Sequence, residues 1–397
     1  MAYSRRRKAS SRGTSRPRRS GRYTRRSYTS RRVNIRRYHG GNPLRRGNTV
    51  QAQKCKCPGE LTPSQKFMLA QIDPFDAKSA GAKIPDSNMM PSIANHDTDI
   101  VRGLGPSGTN TVSAWAFRPS YVGAVVIAGA GATDVSWGAN WAANAVGRSK
   151  QSAYAGQIEL TRPVAHGLRL TSPLAPTSAT GFVHIGLATE STLSETTWTF
   201  PTNPGDMANL QFYKRVTLAS LTQTPLTAIN KWLDDTAFRY SSPNGFVTGS
   251  GASEFQTDLS WATIIVMLEG VQTPSTTCLS FEHLLLSEGI PQRNGVFVGS
   301  QAAANSPATL AAVSSAQSGI DPFHNEAQQD SYMNQGMSAL ASGAAAAGEL
   351  VFNTIALPLL EKVGFATVAT AASTTVNAIM GVGGISGVNS NPRRISI

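Results

Sequence analysis

Short stretches in which apolar and polar residues alternate run through the middle of the chain. Thr111–Phe117 alternates with a period of two, and Tyr121–Ala128 is an apolar run. A period of two places successive side chains on opposite faces of an extended strand, so these stretches predict β-strands. Gly-rich turns such as Gly249–Gly251 separate them. The other predicted strands are Gln157–Arg162, Gly167–Leu170, Gly181–Ala188, Phe212–Leu221, Phe238–Ser241, Leu259–Val271 and Thr276–Ser287.

The number and spacing of these strands predict an all-β domain over residues 105–291, built as an antiparallel sandwich or jelly roll. The 36 Gly and 22 Pro residues suit a fold with many turns. One short helix is predicted inside the domain, at Ala228–Leu233. Residues 191–251 are either an insertion on the outer surface or ordinary connections of the sandwich.

A transition segment, residues 60–104, precedes this domain. Thr62 followed by Pro63 is a typical start of a helix, with Thr62 as the N-cap, and it predicts one or two helical turns. Pro74 and Pro85 then interrupt regular structure, because the residue before a proline avoids the helical conformation.

The last part of the chain, residues 292–397, is rich in Ala and Gly and predicts helices. Within Ser331–Val388 breaks are expected at Pro358 and near Gly381–Gly384. Phe365–Met380 carries several Ser and Thr residues and an Asn, which makes it more polar than a typical membrane span. Two interpretations stay open: helices buried in the interior of an assembly, or a segment that contacts membranes transiently.

Basic residues are concentrated at the beginning of the chain. Residues 1–59 hold 19 basic residues and no acidic one, whereas the rest of the chain holds 17 basic and 23 acidic residues. With almost no aliphatic residues this arm is predicted to be disordered until it meets a polyanion. Arginine pairs phosphate oxygens bidentately, and interleaved tyrosines offer faces for stacking bases. The predicted nucleic-acid-binding residues are Arg5, Arg6, Arg7, Lys8, Arg12, Arg16, Arg18, Arg19, Arg22, Arg25, Arg26, Arg31, Arg32, Arg36, Arg37, Arg45 and Arg46.

Catalytic chemistry is not indicated. The six histidines show no metal-ligand spacing, and neither a phosphate-binding loop nor a nucleophile motif is present. We therefore predict that the protein is not an enzyme. Acidic residues gather at Asp73, Asp76 and Asp86, and oxygen-rich clusters can hold Ca²⁺ between subunits. A solvated polar loop is the simpler interpretation of the same residues.

Two parts of the sequence resemble a known family. Leu61–Pro63, Ala70–Phe75, Ala82–Asn88 and Pro91–Ser92 are similar to the start of the shell domain in nodavirus-like and tombusvirus-like coat proteins. They also resemble capsid proteins of single-stranded DNA viruses of the bacilladnavirus type. Trp261–Gly270, Leu279–His283 and Glu288–Pro291 are similar to the last two strands of that jelly roll and their exit.

The resemblance implies an eight-stranded antiparallel jelly roll that self-assembles into an icosahedral shell, with on the order of 180 subunits in a T=3 arrangement. It also implies that the basic arm faces an RNA or single-stranded DNA genome inside the virion, after assembly in the host cytoplasm or nucleus. The alternative is a cellular protein that binds nucleic acid non-specifically through a basic tail. That alternative predicts a monomer or small oligomer.

Overall fold

The computed structural model describes residues 61–121, 123–137, 145–189, 200–242, 260–272, 275–347, 356 and 358–360. The strands are β1 Ile93–Leu104, β2 Val112–Phe117, β3 Val125–Ile127, β4 Ala145–Val146, β5 Ile158–Thr171, β6 Phe182–Ala188, β7 Phe212–Thr217, β8 Leu226–Ile229, β9 Thr263–Glu269, β10 Thr277–Pro291 and β11 Phe323–Asn325. The α-helices are α1 Pro63–Ile72, α2 Gln151–Ala155, α3 Pro204–Ala208, α4 Pro307–Gly319 and α5 Gln329–Ala347.

The strands form two antiparallel sheets. One has the order β1-β10-β5-β8-β11, and the other has the order β4-β3-β2-β9-β6-β7. Without the short strands β3, β4 and β11, the remaining eight, counted along the chain, have the order 1-8-3-6 in one sheet and 2-7-4-5 in the other. Two interlocked Greek keys with this order are a jelly roll. The predicted fold class, an all-β antiparallel sandwich of the jelly-roll type, is confirmed.

Apolar side chains from both sheets meet in a central core. Leu168 and Phe281 of the first sheet pack against residues such as Ile185 and Val266 of the second. A separate core lies on the outer face of the first sheet, where α1, α4 and α5 cover Ala165, Leu284 and neighbouring residues. Alternation along β5 and β10 explains the two cores, because successive residues of a strand point to opposite faces.

The helix α1 starts as predicted and is longer than predicted. The Thr62 side chain accepts a hydrogen bond from the Gln65 backbone, and the Gln65 side chain accepts one from the Thr62 backbone. This capping box satisfies two donors that the first helical turn leaves open. The helix is 10 residues long and ends at Ile72; its C-cap is Asp73, directly before Pro74.

Several predicted boundaries are corrected by strand pairing. The predicted transition segment contains β1, which pairs along its length with β10, so the sheet begins before residue 105. The predicted helix at Ala228–Leu233 is wrong, because Leu226–Ile229 is the strand β8 beside β5. Phe238–Ser241 is not a strand; a 3₁₀ turn covers Asp235–Phe238, and within the predicted range Ser241 forms an isolated bridge to Thr161.

The two predicted strands on either side of Pro163 are one strand. β5 runs from Ile158 through Pro163 to Thr171, and its register against β10 shifts between Leu286 and Ser287, opposite the proline. A proline lacks the backbone donor that a ladder needs, and a bulge accommodates that loss. The described part of 191–251 supplies β7 and β8, two of the eight main strands, so an insertion on the surface is wrong for that part.

The C-terminal region forms helices where the structure describes it. α4 and α5 contain the predicted Ala-rich stretch, and between them the short strand β11 adds to the first sheet beside β8. Among the helices of the described residues, none combines the length and apolar character that crossing a membrane requires. The predicted break near Gly381–Gly384 lies outside the described residues.

Candidate functional site

The predicted genome-binding residues, from Arg5 to Arg46, lie outside the described residues, so their role stays a prediction. Leu61 is the first described residue after the arm. Leu61 is buried in the same core as α1, α4 and α5. We call these three helices the helical layer. The basic arm is therefore followed in the chain by a residue of this core.

Specific contacts hold α1 in the helical layer. The Gln71 amide donates to the Val164 carbonyl of β5 at 2.5 Å and accepts from the Gln317 amide of α4 at 2.8 Å. The Tyr332 hydroxyl of α5 donates to the Ile72 carbonyl at 3.1 Å. Buried polar groups need such partners, because an unpaired group in the core costs about 1–3 kcal/mol. The segment that follows the arm is thus fixed to the sheet and to both C-terminal helices.

The outward sides of α4 and α5 carry almost no charge. α4 contains no charged residue, and α5 contains one, Asp330. The exposed positions of α5 are polar and mostly neutral; they include Asp330, Ser331, Asn334, Gln335, Ser338 and Ser342. Such a surface neither attracts nor strongly repels a polyanion. The predicted membrane contact through 331–388 stays a prediction, since the structure describes only residues 331–347, 356 and 358–360 of that range.

The three candidate calcium ligands have protein partners of different kinds. Asp73 accepts from the Phe75 backbone at 2.9 Å and from the Gln329 amide at 2.7 Å, and burial raises the pKa of its carboxyl group. The Asp76 carboxylate accepts a hydrogen bond from the Lys78 backbone and so caps a 3₁₀ turn. Asp86 forms an ion pair with Arg162. Within the described residues no group of three or more His, Cys, Asp or Glu side chains is placed to hold a metal ion.

A buried ion-pair cluster joins β5 and β10 to the segment before β1. Arg162 donates to Glu288 at 2.7 Å and also pairs with Asp86, while Tyr240 lies under its guanidinium at 4.3 Å. Burial lowers the pKa of Arg162, but the hydrogen bond to Asp86 and the charge of Glu288 outweigh it and raise that pKa. The cluster fixes the predicted transition segment onto the sheet.

A second buried polar cluster lies inside the sandwich. Nε2 of His166 and Nε2 of His283 are 2.5 Å apart, and Nδ1 of His166 is 3.0 Å from the Asn230 amide. Arg148 donates to the backbone carbonyls of Asp97 and His283 and pairs with the Asp97 carboxylate at 3.5 Å. Burial lowers the pKa of both histidines well below the usual value, and the charge of Arg148 lowers it further.

Neither cluster was predicted from the sequence, because each depends on strand register. His166 lies near His283 only because β5 and β10 pair with Leu285 opposite His166. Glu288 meets Arg162 because these two residues are direct partners across the same pair of strands.

No protein-family model matches the chain, and no curated protein matches it. A solved structure of T=1 particles derived from infectious bursal virus is similar, with a TM-score of 0.43, 9% identity, 70% of this chain covered and 95% of that chain. Cocksfoot mottle virus gives a TM-score of 0.33 and 14% identity, covering 50% of this chain and 94% of that chain. Tobacco necrosis virus gives a TM-score of 0.31 and 12% identity, covering 51% of this chain and 97% of that chain.

The resemblance to coat proteins that was predicted from the sequence concerns the fold. The strand order assigns the jelly roll independently of these matches. The match covers 94–97% of each of the three solved chains and 50–70% of this chain.

Proposed function

We propose that the protein is a viral capsid protein that self-assembles into a closed icosahedral shell and packages the genome through residues 1–59. One observation carries the proposal: the same chain contains an arm with 19 basic residues and no acidic one and, after the segment that includes α1, a jelly roll. The jelly roll by itself serves many functions, and the arm by itself would suit any protein that binds nucleic acid. Their combination in one chain favours a shell that encloses a polyanion.

The helical layer faces the genome in this proposal. Leu61, the first described residue after the arm, is buried in that layer. The near absence of charge on the outward side of α4 and α5 supports this orientation, because an acidic surface would repel packaged phosphates. The opposite sheet would then lie on the outer side of the shell.

Condensation of the genome follows from charge. Each arm brings 19 positive charges, and on the order of 180 arms could neutralise roughly three thousand phosphates through release of counterions. Contacts to phosphates carry no base information, so packaging through the arm should be independent of sequence. Either RNA or single-stranded DNA satisfies this chemistry. The protein acts in the virion, and in the host cytoplasm or nucleus during assembly.

A replacement of the arm tests the packaging role. Residues 1–46 are exchanged for a Gly/Ser segment of equal length, and the control exchanges the arginines of that segment for lysines. The nucleic-acid content of purified particles is measured from the ratio of absorbance at 260 and 280 nm. The Gly/Ser variant is expected to lose nearly all nucleic acid and the lysine control to keep most of it, because charge is retained. Unchanged content in the Gly/Ser variant would refute the packaging role.

A further inference from the structure

A cavity of about 280 Å³ lies between α4 of the helical layer and the ends of strands from the two sheets. This volume is close to the lower end of the range of about 300–1,000 Å³ that is usual for pockets that bind small molecules. Neither of the two buried polar clusters borders the cavity. Its walls include Leu187 of β6, Phe212 of β7, the residues Lys231, Trp232 and Leu233 that follow β8, and Ser314 of α4.

Lys231 brings a positive charge to the wall of the cavity. Its Nζ atom donates to the Gln317 and Ile320 carbonyls at the end of α4, at 2.6 Å each, and lies 4.1 Å from the ring centroid of Phe212. Gln317 and Phe212 also line the cavity, so the ammonium group lies at the wall that these three residues share. Burial lowers the pKa of Lys231 to about 8, against the opposing effect of the Asp321 charge. An ammonium group that burial disfavours is stabilised by an anion placed beside it.

Trp232 adds a buried donor that has no acceptor. The residue is 8% exposed, and within the described part of the chain its indole Nε1–H has no hydrogen-bond partner. The neighbouring Trp261 is different, because its indole donates to the Ala237 carbonyl at 3.0 Å. An indole N–H can only donate, and a buried donor without an acceptor destabilises the fold. The unpaired donor of Trp232 therefore indicates an acceptor that the described residues do not supply.

We propose that the cavity binds a small molecule that has an apolar chain and a carboxylate group. Among the described residues that line the cavity, Lys231 is the one charged residue, so the complementary ligand is an anion. Two of its three N–H groups reach carbonyls, which leaves the third for a carboxylate oxygen, and Trp232 offers a donor to the other oxygen. Leu187, Phe212 and Leu233 give the apolar chain a matching wall. The proposal does not depend on the capsid function, because the site lies within one chain.

The volume of the cavity limits the size of the ligand. One water molecule takes up about 30 Å³ in the liquid, so a cavity of about 280 Å³ holds roughly nine or ten non-hydrogen atoms. Octanoate has ten non-hydrogen atoms, two of which are the carboxylate oxygens. It is therefore the probe for the experiments that follow.

Titration calorimetry with the full-length protein tests the choice of ligand. Octanoate is compared with octanol, which has the same chain without the charge, and with acetate, which has the charge without the chain. Octanoate is expected to bind at one site per chain and at least tenfold more tightly than either of the other two. The proposal is overturned if octanoate does not bind, or if octanol or acetate binds as tightly as octanoate does.

A pair of variants on α4 tests the position of the site. Ser314 and Ser315 are both exposed, but only Ser314 lines the cavity. Ser314→Trp places a large side chain at the cavity and is expected to weaken the binding of octanoate at least tenfold. Ser315→Trp is the matched control and should bind octanoate within twofold of the wild type. Equal affinities of the two variants would overturn the proposal, because the bound octanoate would then lie elsewhere.

Acetylation of Lys231 in the wild type gives a readout that needs no variant. At pH 8 about half of the Lys231 side chains carry a free amine that reacts with acetic anhydride, because the pKa of this group is about 8. A bound carboxylate favours the ammonium form, so saturating octanoate is expected to slow acetylation of Lys231 at least fivefold. Lys150, whose side chain is 58% exposed, is the internal control and should react at an unchanged rate. Mass spectrometry measures both positions, and equal acetylation of Lys231 with and without octanoate would overturn the proposal.

Discussion

Arg162 and Glu288 are direct partners across the strands β5 and β10, and their side chains form a buried ion pair of 2.7 Å in which each is 1% exposed. Asp86 joins this pair from the segment before β1, and the Ser92 hydroxyl donates to Glu288. One ion pair thus links the main sheet to the chain that leads from the helical layer into β1.

The first prediction concerns this ion pair. Glu288→Gln keeps the shape of the side chain but leaves the Arg162 guanidinium with less compensating charge in the core. Removing one partner of a buried pair is strongly destabilising, and we expect a loss of about 3 kcal/mol in the free energy of unfolding. Denaturation of the dissociated subunit in urea measures this change.

Glu282→Gln is the matched control. Glu282 pairs with Arg169 at 3.1 Å on the same two strands, but both side chains are partly exposed. Exposed pairs contribute about 0–1 kcal/mol, so this variant should be nearly as stable as the wild type. Equal losses in the two variants would contradict the structural role assigned to the buried pair.

The second prediction concerns the buried histidine pair. Burial lowers the pKa of His166 and His283 well below the usual value of about 6.5, so unfolding takes up protons that the folded state excludes. The stability from this source is fully present above about pH 6.5 and is lost as the pH falls below it, by up to about 1.4 kcal/mol per pH unit for each ring.

Comparison with His166→Gln isolates this effect from carboxyl groups that titrate in the same range. The free energy of unfolding is measured between pH 5 and pH 7 for both proteins. The dependence on pH should be weaker in the variant by up to about 1.4 kcal/mol per unit. Identical slopes would show that the histidine pair is not the source of the acid sensitivity.

The third prediction concerns the contact between α1 and the sheet. A Cβ atom at Gly167 of β5 would lie 2.7 Å from a ring carbon of Phe75 and 2.9 Å from Pro74. Gly167→Ala should therefore push the end of α1 off the sheet and destabilise the subunit by about 1–3 kcal/mol. Gly319→Ala is the control, because no atom lies within 4 Å of its Cβ position at the end of α4. A neutral Gly167→Ala variant would contradict this packing.

The fourth prediction concerns the arm. Binding of the full-length protein to fluorescent single-stranded oligonucleotides, followed by anisotropy at concentrations below assembly, should weaken steeply as salt increases. Each phosphate contact adds about 0.7 to the slope of log K against log salt for single strands. Oligonucleotides of different sequence should bind alike, since the arm reads the backbone. A flat response to salt would refute binding through phosphates.

Much of the jelly roll could be predicted from local pattern. Strands with a period of two, such as Thr111–Phe117, and the capping pair Thr62 and Gln65 carry their structure in neighbouring residues. β1 could not be recognised in this way. Asp97 on its inward face is buried against Arg148, whereas an aspartate in a sequence predicts an exposed position. Pro163 likewise appeared to end a strand, whereas the bulge opposite Ser287 lets β5 continue.

Part of the candidate site could likewise be predicted from the sequence, and part could not. The basic arm is visible in the sequence because 19 like charges in one segment need no tertiary structure to be recognised. The exposure of Val296–Val298 is not visible, since three successive apolar residues are typical of a buried strand. The histidine and ion-pair clusters depend on the register between β5 and β10, which no local pattern specifies.

Electron microscopy of the purified full-length protein distinguishes a capsid protein from a cellular protein with a basic tail. A capsid protein should form closed, uniform particles about 30–40 nm across that contain nucleic acid, because identical subunits close into a symmetric shell. A cellular protein with a basic tail should instead give monomers, small oligomers or irregular complexes on nucleic acid. We predict uniform closed particles. Their absence at every salt concentration and with every nucleic acid tried would contradict the proposed capsid function.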